Sequence, residues 1–362
     1  MWQYAEMSKI RVAIVGVGNC ASALVQGVNF YTNNPQEPIG VVANLGGYKI
    51  SDLEFPVAFD VHKDKVGRTI GEAIFVQPNC ADFLSAADSH IGLVHKGNKL
   101  DGLDSAIRDF VPVDESQLSV DVESILKTEE IDVLVLLLPT GSQQAAEYYT
   151  RAALNAGCAI VNGIPANIAN NDELVQLAKE KQLPIIGDDI KSQIGATITH
   201  RALTELFPMR HATVDRTIQL DWGGDMDFRN LTSNQRYETG GKRQSKTEAV
   251  ISGLPNRDTV EAQISAVDYI PFLKNQKEAY TRIEGRIFGG KSVRIDLMIQ
   301  VQDAYNSAGI LVDAIRAAKI GKDRKIGGVL HAASSLFSKR PPQQLSDAAA
   351  TEQFEKFLAD SD

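Results

Sequence analysis

The sequence predicts an α/β protein: a doubly wound parallel sheet interrupted by an inserted α+β domain. Three observations predict it. Short β-branched runs alternate with helical patterns through the first 200 residues, as in a parallel sheet covered on both faces. The first run, KIRVAIVGVGNCASALVQGV (residues 9–28), passes through a glycine turn into a helix. Beyond about residue 210 the apolar runs give way to alternation of apolar and polar residues. At 362 residues the chain exceeds one domain of roughly 100–200 residues. The expected division is a dinucleotide-binding unit over 1–200, an α+β unit over 201–305, and a segment, 306–362, that returns to the first unit.

Residues 10–15, IRVAIV, read as a strand buried on both sides, and 21–31 as the helix after it. Residues 32–50 hold Asn-Asn-Pro, Pro-Ile-Gly and Gly-Gly and read as a long polar loop. EFPVAFDVHKDKVG (54–67) reads as a second strand ending near Asp60 and then a helix, while 68–118 reads as irregular. IDVLVLLLP (131–139) is the strongest strand signal. SQQAAEYYTRAALNAG (142–157) is a helix with Ser142 as N-cap and Gly157 just past its end. CAIVNGIP (158–165) and LPIIGDDIKSQ (183–193) supply two more strands, with the helix DELVQLAKEKQ between them. In the insertion, HATVDRTIQLDWGG, YTRIEGRIFGG and VRIDLMIQVQD are expected strands. Ile295, Leu297, Ile299 and Val301 alternate with polar neighbours, so one face is buried and one wet, which is antiparallel behaviour. SAGILVDAIRAAK, from Ser307, restores the helical period.

Composition narrows the function. A net charge of −9 argues against nucleic acid and anionic membranes as partners. A phosphorylated substrate would then need a locally basic site. Three widely spaced cysteines, Cys20, Cys80 and Cys158, without a C-x-x-C pair, suit a reducing cytoplasm. No apolar run approaches the ~20 residues of a membrane span. Residues 1–8 read as a loose polar extension, with Met7 a second candidate start.

Gly16, Gly18 and Ala21, with Asn19 and Cys20 between them, fit G-x-G-x-x-A. The first glycine permits the tight turn and the second lets backbone approach a pyrophosphate. The alanine lets helix and strand pack closely, and the helix N-terminus faces the anion. With a strand before it and a helix after it, this is a Rossmann-type dinucleotide turn. Asp60, at the end of the second strand, is the expected ribose acid, and an acid there favours NAD over NADP. Thr140, Gly141 and Ser142 follow another strand end, where doubly wound folds bind ligands.

GDDIKSQ (187–193) crowds Asp188, Asp189, Lys191 and Ser192 at a strand end. The open readings are a cation site, a group orienting nicotinamide, a proton relay, or a solvated turn. GGKRQSKTEAV (240–250) puts Lys242 and Lys246 four apart on one helical face, where like charges repel mildly. Such a pair suits a phosphate, exchanges protons near neutrality if one pKa falls, or is simply solvated.

Taken together, GVGNCASALVQG, GDDIKSQ, LDWGGDMDFRN, KRQSK, QDAYNSAGILVDAIRAAK and SLFSKRPP resemble the myo-inositol-1-phosphate synthase family. The likeness is to its shorter bacterial and archaeal branch, actinobacterial members above all, and runs from about residue 9 to the end. The resemblance implies conversion of D-glucose 6-phosphate to 1L-myo-inositol 1-phosphate. NAD would oxidise carbon 5, an enol from carbon 6 would close on carbon 1, and the same NADH would reduce the ring. It implies Lys242 near the carbon-5 oxygen, Lys246 on the phosphate, Lys277 at the carbon-1 carbonyl, and Lys339 at the carbon-5 alcohol. Asp189 and Asp303 would lie near nicotinamide and the lysines, Asp188 and Ser192 by the cofactor, and Ser192 and Thr197 also by the phosphate. The substrate's own phosphate would serve as base at carbon 6. A cation (zinc, magnesium or a monovalent ion) on Asp303 or Asp189 is compatible with the family. Asp225, in GGDMDF, stands where the family often has an amide, an unfavourable charge beside a phosphorylated sugar unless it is protonated, turned away or on a cation. The resemblance also implies a homotetramer assembled through the insertion. Two alternatives remain at this point: an NAD-dependent sugar-phosphate dehydrogenase, which would accumulate NADH, and a non-catalytic NAD-sensing regulator, which would need no lysine cluster.

Overall fold

The structure is a computed structural model and describes residues 9–34, 37–87, 91–103, 107–233 and 242–360. β1 (Ile10–Val15), β2 (Leu53–Asp60), β3 (Leu93–Lys96), β4 (Val133–Leu136), β5 (Ala159–Asn162), β6 (Pro184–Ile186) and, from the far end of the chain, β11 (Gly328–Val329) form one parallel sheet in the order β11-β6-β5-β4-β1-β2-β3. Residues 10–15 alternate between two cores, as the period of two demands. Ile10, Val12 and Ile14 pack with α1 (Asn19–Asn33) and α8 (Asp303–Asp323). Ala13 and Val15 pack with α3 (Gln143–Ala156) and α4 (Asp172–Lys181). A strand apolar on both sides is what the near-continuous runs of the sequence predict.

The insertion is a four-stranded sheet in the order β8-β7-β9-β10, from β7 (Thr213–Gly223), β8 (Glu261–Tyr269), β9 (Gln276–Ile287) and β10 (Lys291–Gln302). β7, β9 and β10 pair antiparallel as expected. β8 was not anticipated, and it lies parallel to β7. The reason is its connection: α6 (Met226–Ser233) and α7 (Lys242–Ile251) lie between the two strands, and a crossover of that length is what parallel pairing requires. α5 (Ala196–Met209) and α7 pack on one face of this sheet.

Three local expectations are corrected. Residues 61–67 form turns rather than a helix, ending at Gly67 with φ +83°, and only Ile70–Ala73 is helical. The irregular stretch contains the edge strand β3, whose LVHK sequence carries no clear strand pattern. Ser142 occupies the N-cap of α3 but its hydroxyl donates to the Pro139 carbonyl at 2.7 Å. Asp101 caps α3 instead, accepting from the backbone N–H of Gln144 and Ala145 at 2.8 and 2.9 Å. Gly157 does end that helix, in the left-handed region at φ +88°.

Strand order reverses between β1 and β4. Gly16 has φ +92°, and a Cβ on it would stand 2.6 Å from the Leu137 carbonyl oxygen. Neither backbone strand can yield. Gly16→Ala is therefore expected to destabilise the protein by about 1–3 kcal/mol and to weaken NAD binding, measured by thermal unfolding and by cofactor titration. A variant with wild-type stability and affinity would contradict this account of the turn.

Candidate active site

One cavity opens at the carboxyl ends of the parallel strands and runs from the glycine turn to the insertion. At one end it is lined by Gly16, Gly18, Asn19, Cys20 and Asp60. Gly18 is the N-cap of α1 with no side-chain cap, the first turn holds no acid, and nothing stands within 4 Å of a Cβ built on Gly18. Uncapped N–H groups and open space over a glycine fit a pyrophosphate. Asp60 accepts from the backbone N–H of Val17 at 2.7 Å and of Val61 and His62 at 2.7 and 2.9 Å. The acid thus ties the turn to β2 and also lines the cavity. Ala21 is fully buried and does not line the cavity, consistent with a packing role.

Behind the turn lies a residue the sequence reading missed. Lys65 is buried and donates to the Val17 carbonyl at 2.6 Å and to Asn79 Oδ1 at 2.9 Å. Burial pushes its pKa down while the Asp60 charge pushes it up. Asn19 is spent on structure: its Oδ1 accepts from the Cys80 N–H at 2.7 Å. Burial, with the Asp303 charge, pushes the Cys20 thiol up to about 12, so it stays protonated.

At the other end, lysines from three distant stretches face the same space. Lys246, Lys277 and Lys339 all line it, with Asp189, Ser192, Thr197 and Asp303. The backbone of Lys242 starts α7, but its side chain lies outside the described residues. Lys339 Nζ donates to Asp189 Oδ1 at 3.0 Å. Lys277 Nζ lies 3.6 Å from Asp303 Oδ1 and 5.6 Å from the Phe228 ring centre. Lys246 Nζ lies 2.5 Å from Asp221 Oδ2, with both side chains almost wholly buried. Ser192 and Thr197 flank the start of α5, whose N-cap, Gly195, has no side chain to offer.

The turn after β6 is stitched to the chain's far end. Asp188 N–H donates to the Arg340 carbonyl and Arg340 N–H to the Asp188 carbonyl, at 3.2 and 3.0 Å. Lys339 N–H donates to the Asp189 carbonyl and Lys191 N–H to the Phe337 carbonyl, each at 2.7 Å. Asp189 takes a left-handed φ of +63° in this turn. Asp188 does not line the cavity, contrary to the assignment from sequence. Its carboxylate is turned inward, accepting from Asn162 Nδ2 at 2.7 Å, Asn170 Nδ2 at 3.0 Å and the Ala169 N–H at 2.9 Å. Lys191 also points away, to the Ser335 carbonyl at 2.9 Å and Asp347 at 3.2 Å. Of the strand-end trio, Thr140 and Ser142 line the cavity and Gly141 does not. Thr140 donates to Asp227 Oδ1 at 3.0 Å.

Asp225 is buried, and its Oδ1 accepts from the Asp227 and Phe228 N–H groups at 3.0 and 3.2 Å. Burial and the neighbouring charges of Asp303 and Asp227 push it up to about 7, which partly removes the unfavourable charge expected from the sequence. Among the described residues no group of three or more His, Cys, Asp or Glu side chains is arranged to hold a metal ion. Asp189 and Asp303, the carboxylates expected to carry a cation, stand beside lysines instead. Two polar atoms of cavity-lining residues, Asn275 Nδ2 and Asn230 Oδ1, are buried with no hydrogen-bond partner among the described residues. Bound cofactor and substrate would supply one.

Comparison with known proteins fixes the family. The profile described as Myo-inositol-1-phosphate synthase matches residues 195–304. The chain is 43% identical to the inositol-3-phosphate synthase of Mycolicibacterium smegmatis, over 97% of this chain and 98% of that protein. It is 42% identical to the enzyme of that name from Mycobacterium tuberculosis, over 97% and 96%. The chain belongs to the myo-inositol-1-phosphate synthase family. Among solved structures, Ari2 superposes with TM-score 0.78 at 33% identity, covering 97% of this chain and 99% of that one. A synthase-related protein of Thermotoga maritima superposes with TM-score 0.80 at 22% identity, over 97% and 98%, a likeness of fold alone.

In this family member the profile match spans the site's lysine helix and the first lysine-bearing strand, but not the glycine turn or Lys339. The sequence offers His200, His211 and His331 as lone histidines that read as structural rather than as ligands, and His200 is buried at 0% exposure. Its ring nitrogens meet Gln219 Oε1 at 3.0 Å and Thr217 Oγ1 at 2.5 Å. The signal was faint: only an apolar helical face carrying one histidine opposite polar strand positions. Burial pushes His200 from its usual 6.5 down to about 4. The unfolded chain takes up this proton as pH falls through 6.5, whereas the native protein refuses it until about 4. Stability from this site is therefore complete above pH 6.5 and is lost between 6.5 and 4, by about 3 kcal/mol. His200→Gln is expected to flatten the fall of melting temperature across that window. An unchanged slope would refute the assignment.

Proposed function

We propose that the chain is an inositol-3-phosphate synthase, converting D-glucose 6-phosphate to 1L-myo-inositol 1-phosphate without net redox change. The observation that carries this is the convergence of Lys246, Lys277 and Lys339 on the cavity that also holds the glycine turn 16–20. A simple dehydrogenase needs one acid–base group beside nicotinamide, and a sensor needs none. Three ammonium groups suit a reaction that develops oxyanions at two carbons and binds a phosphate dianion.

NAD, held by Gly16, Gly18 and the N-terminus of α1 with Asp60 at the ribose, would supply the reversible oxidation at carbon 5. Lys339, once its ammonium proton has passed to the adjoining Asp189 carboxylate, takes the carbon-5 hydroxyl proton as that carbon is oxidised and returns it when the ketone is reduced. Lys242 belongs to the same oxygen by the family resemblance. Lys277 beside Asp303 stabilises the carbon-1 oxygen as the ring closes. Lys246, Ser192, Thr197 and the start of α5 hold the phosphate, whose oxygen takes the carbon-6 proton. Buried Phe59 and Ile190, with half-buried Leu137, wall the cavity and help keep water from the intermediates.

Residues 1–200 and 306–362 form the cofactor unit in this reading, and 201–305 the catalytic and assembly unit. The insertion's second face carries half-exposed Ile218, Leu220, Trp222 and Tyr280, with Met298 57% exposed, and β10 is an edge strand of 12 residues. Such a face and edge call for cover, which supports a homotetramer built there. The three cysteines are free, as a cytoplasmic location requires. No described helix is long and apolar enough to cross a membrane.

The protein incubated with glucose 6-phosphate and catalytic NAD is expected to yield inositol phosphate by phosphorus NMR, with no accumulation of NADH. Stoichiometric NADH would overturn the reading in favour of a dehydrogenase. Lys339→Ala should lower kcat by a factor of about 100 or more while NAD titration stays as in wild type. Retained turnover would remove Lys339 from the mechanism.

A further inference from the structure

We propose that Asp221 is the positioning residue of the phosphate site, keeping the Lys246 ammonium charged and aimed through a one-way chain of hydrogen bonds anchored on His200. The inference rests on the phosphate role given to Lys246 above. Asp221 is fully buried on β7, beneath the cavity rather than on it. Its Oδ2 meets Lys246 Nζ at 2.5 Å, and its Oδ1 accepts from Gln219 Nε2 at 2.8 Å.

The rest of the chain follows from what each atom can donate. A carboxylate only accepts, so Gln219 must turn its NH₂ to Asp221 and its Oε1 to His200. The His200 Nδ1 must then carry the proton. Its pKa near 4 keeps the ring neutral, so Nε2 is a bare acceptor facing Thr217 Oγ1, whose hydroxyl also has the Arg282 carbonyl at 2.8 Å. The order His200 to Gln219 to Asp221 allows only one direction. It fixes the carboxylate's plane and leaves Oδ2 facing Lys246.

Charge balance points the same way. Burial raises the Asp221 carboxyl, but the charges of Lys246 from α7 and Lys277 from β9, with the Lys246 and Gln219 hydrogen bonds, outweigh it and hold it below the usual range. Among the described residues, the charged or titratable groups facing Asp221 are these two lysines and His200 of α5. A buried ammonium that loses its carboxylate partner is driven towards the neutral amine. The neutral form binds phosphate poorly, so the loss will grow with pH.

The test measures inorganic phosphate binding to the full-length, NAD-saturated protein by calorimetry, at pH 6.5 and pH 9.5. Phosphate's own ionisation affects all variants alike, so the readout is the Kd ratio of variant to wild type. For Asp221→Asn the ratio is expected to stay within about threefold at pH 6.5 and to reach about tenfold or more at pH 9.5. Asp221→Glu should bring it back towards one. A ratio independent of pH, or an NAD affinity that falls in parallel, would mark a merely structural role and overturn the proposal. Should Asp221→Asn alone fail to fold, Lys246→Met and Lys246→Met/Asp221→Asn decide. The double variant buries no unpaired charge from this couple and should bind phosphate as weakly as the single one. A further loss would overturn the proposal, because Asp221 would then act other than through Lys246. Turnover of glucose 6-phosphate by wild type separately tests the synthase reading, which calorimetry does not need.

Discussion

A buried ammonium group is tolerated only beside something negative, and that constraint organises this protein. Each described lysine assigned to the site arrives with a carboxylate: Lys246 with Asp221, Lys277 with Asp303, and Lys339 with Asp189. Desolvating a lone charge costs several kcal/mol, and a nearby opposite charge offsets much of that. The pairs therefore let positive charge gather around one cavity in a chain of net charge −9. They also leave the site close to neutral until a phosphate enters, so the incoming dianion supplies the imbalance that the lysines answer.

The parallel sheet provides the rigid half of the arrangement. Its strand order reverses beside β1, and the glycine turn, Thr140 and the 187–191 turn all sit at carboxyl ends near that reversal. The paired backbone of residues 187–191 and 337–340 then holds Lys339 over Asp189 by main-chain hydrogen bonds. A side chain placed by backbone pairing on both sides loses little freedom when substrate binds, which favours a preorganised electrostatic site. The insertion contributes the other two lysines from α7 and β9, so relative motion of the two sheets would change the distance of Lys339 from both.

Acidic groups not paired with lysine are managed differently. Asp188 satisfies its oxygens with amides from 162 and 168–170 and stays out of the cavity. Asp225 faces Asp303 and Asp227 and is raised to about 7 rather than being compensated. Two adjacent aspartates, Asp188 and Asp189, thus do opposite things: one builds the turn and the other faces the chemistry. No pattern of residue types separates them, because the difference lies in which way a backbone with φ of +63° at Asp189 turns each side chain.

The sequence by itself determined the doubly wound architecture and the glycine turn, and picked out Asp60, Lys246, Lys277 and Lys339, which line one cavity, because these signals are local: a period of two, a strand–glycine–helix order, and recognisable short motifs. It misjudged residues 61–67 and missed β3 and β8, where short polar-rich segments carry no period and neighbours decide. Only the tertiary structure decided that Asp188 and Lys191 face inward, that Asp101 rather than Ser142 caps α3, and that Lys65, His200 and Asp221 underpin the two ends of the cavity. Those roles depend on which donors and acceptors are buried together across separations of 14 to more than 150 residues. That is a matter of satisfying polar groups in three dimensions, and it leaves no trace in the order of residues along the chain.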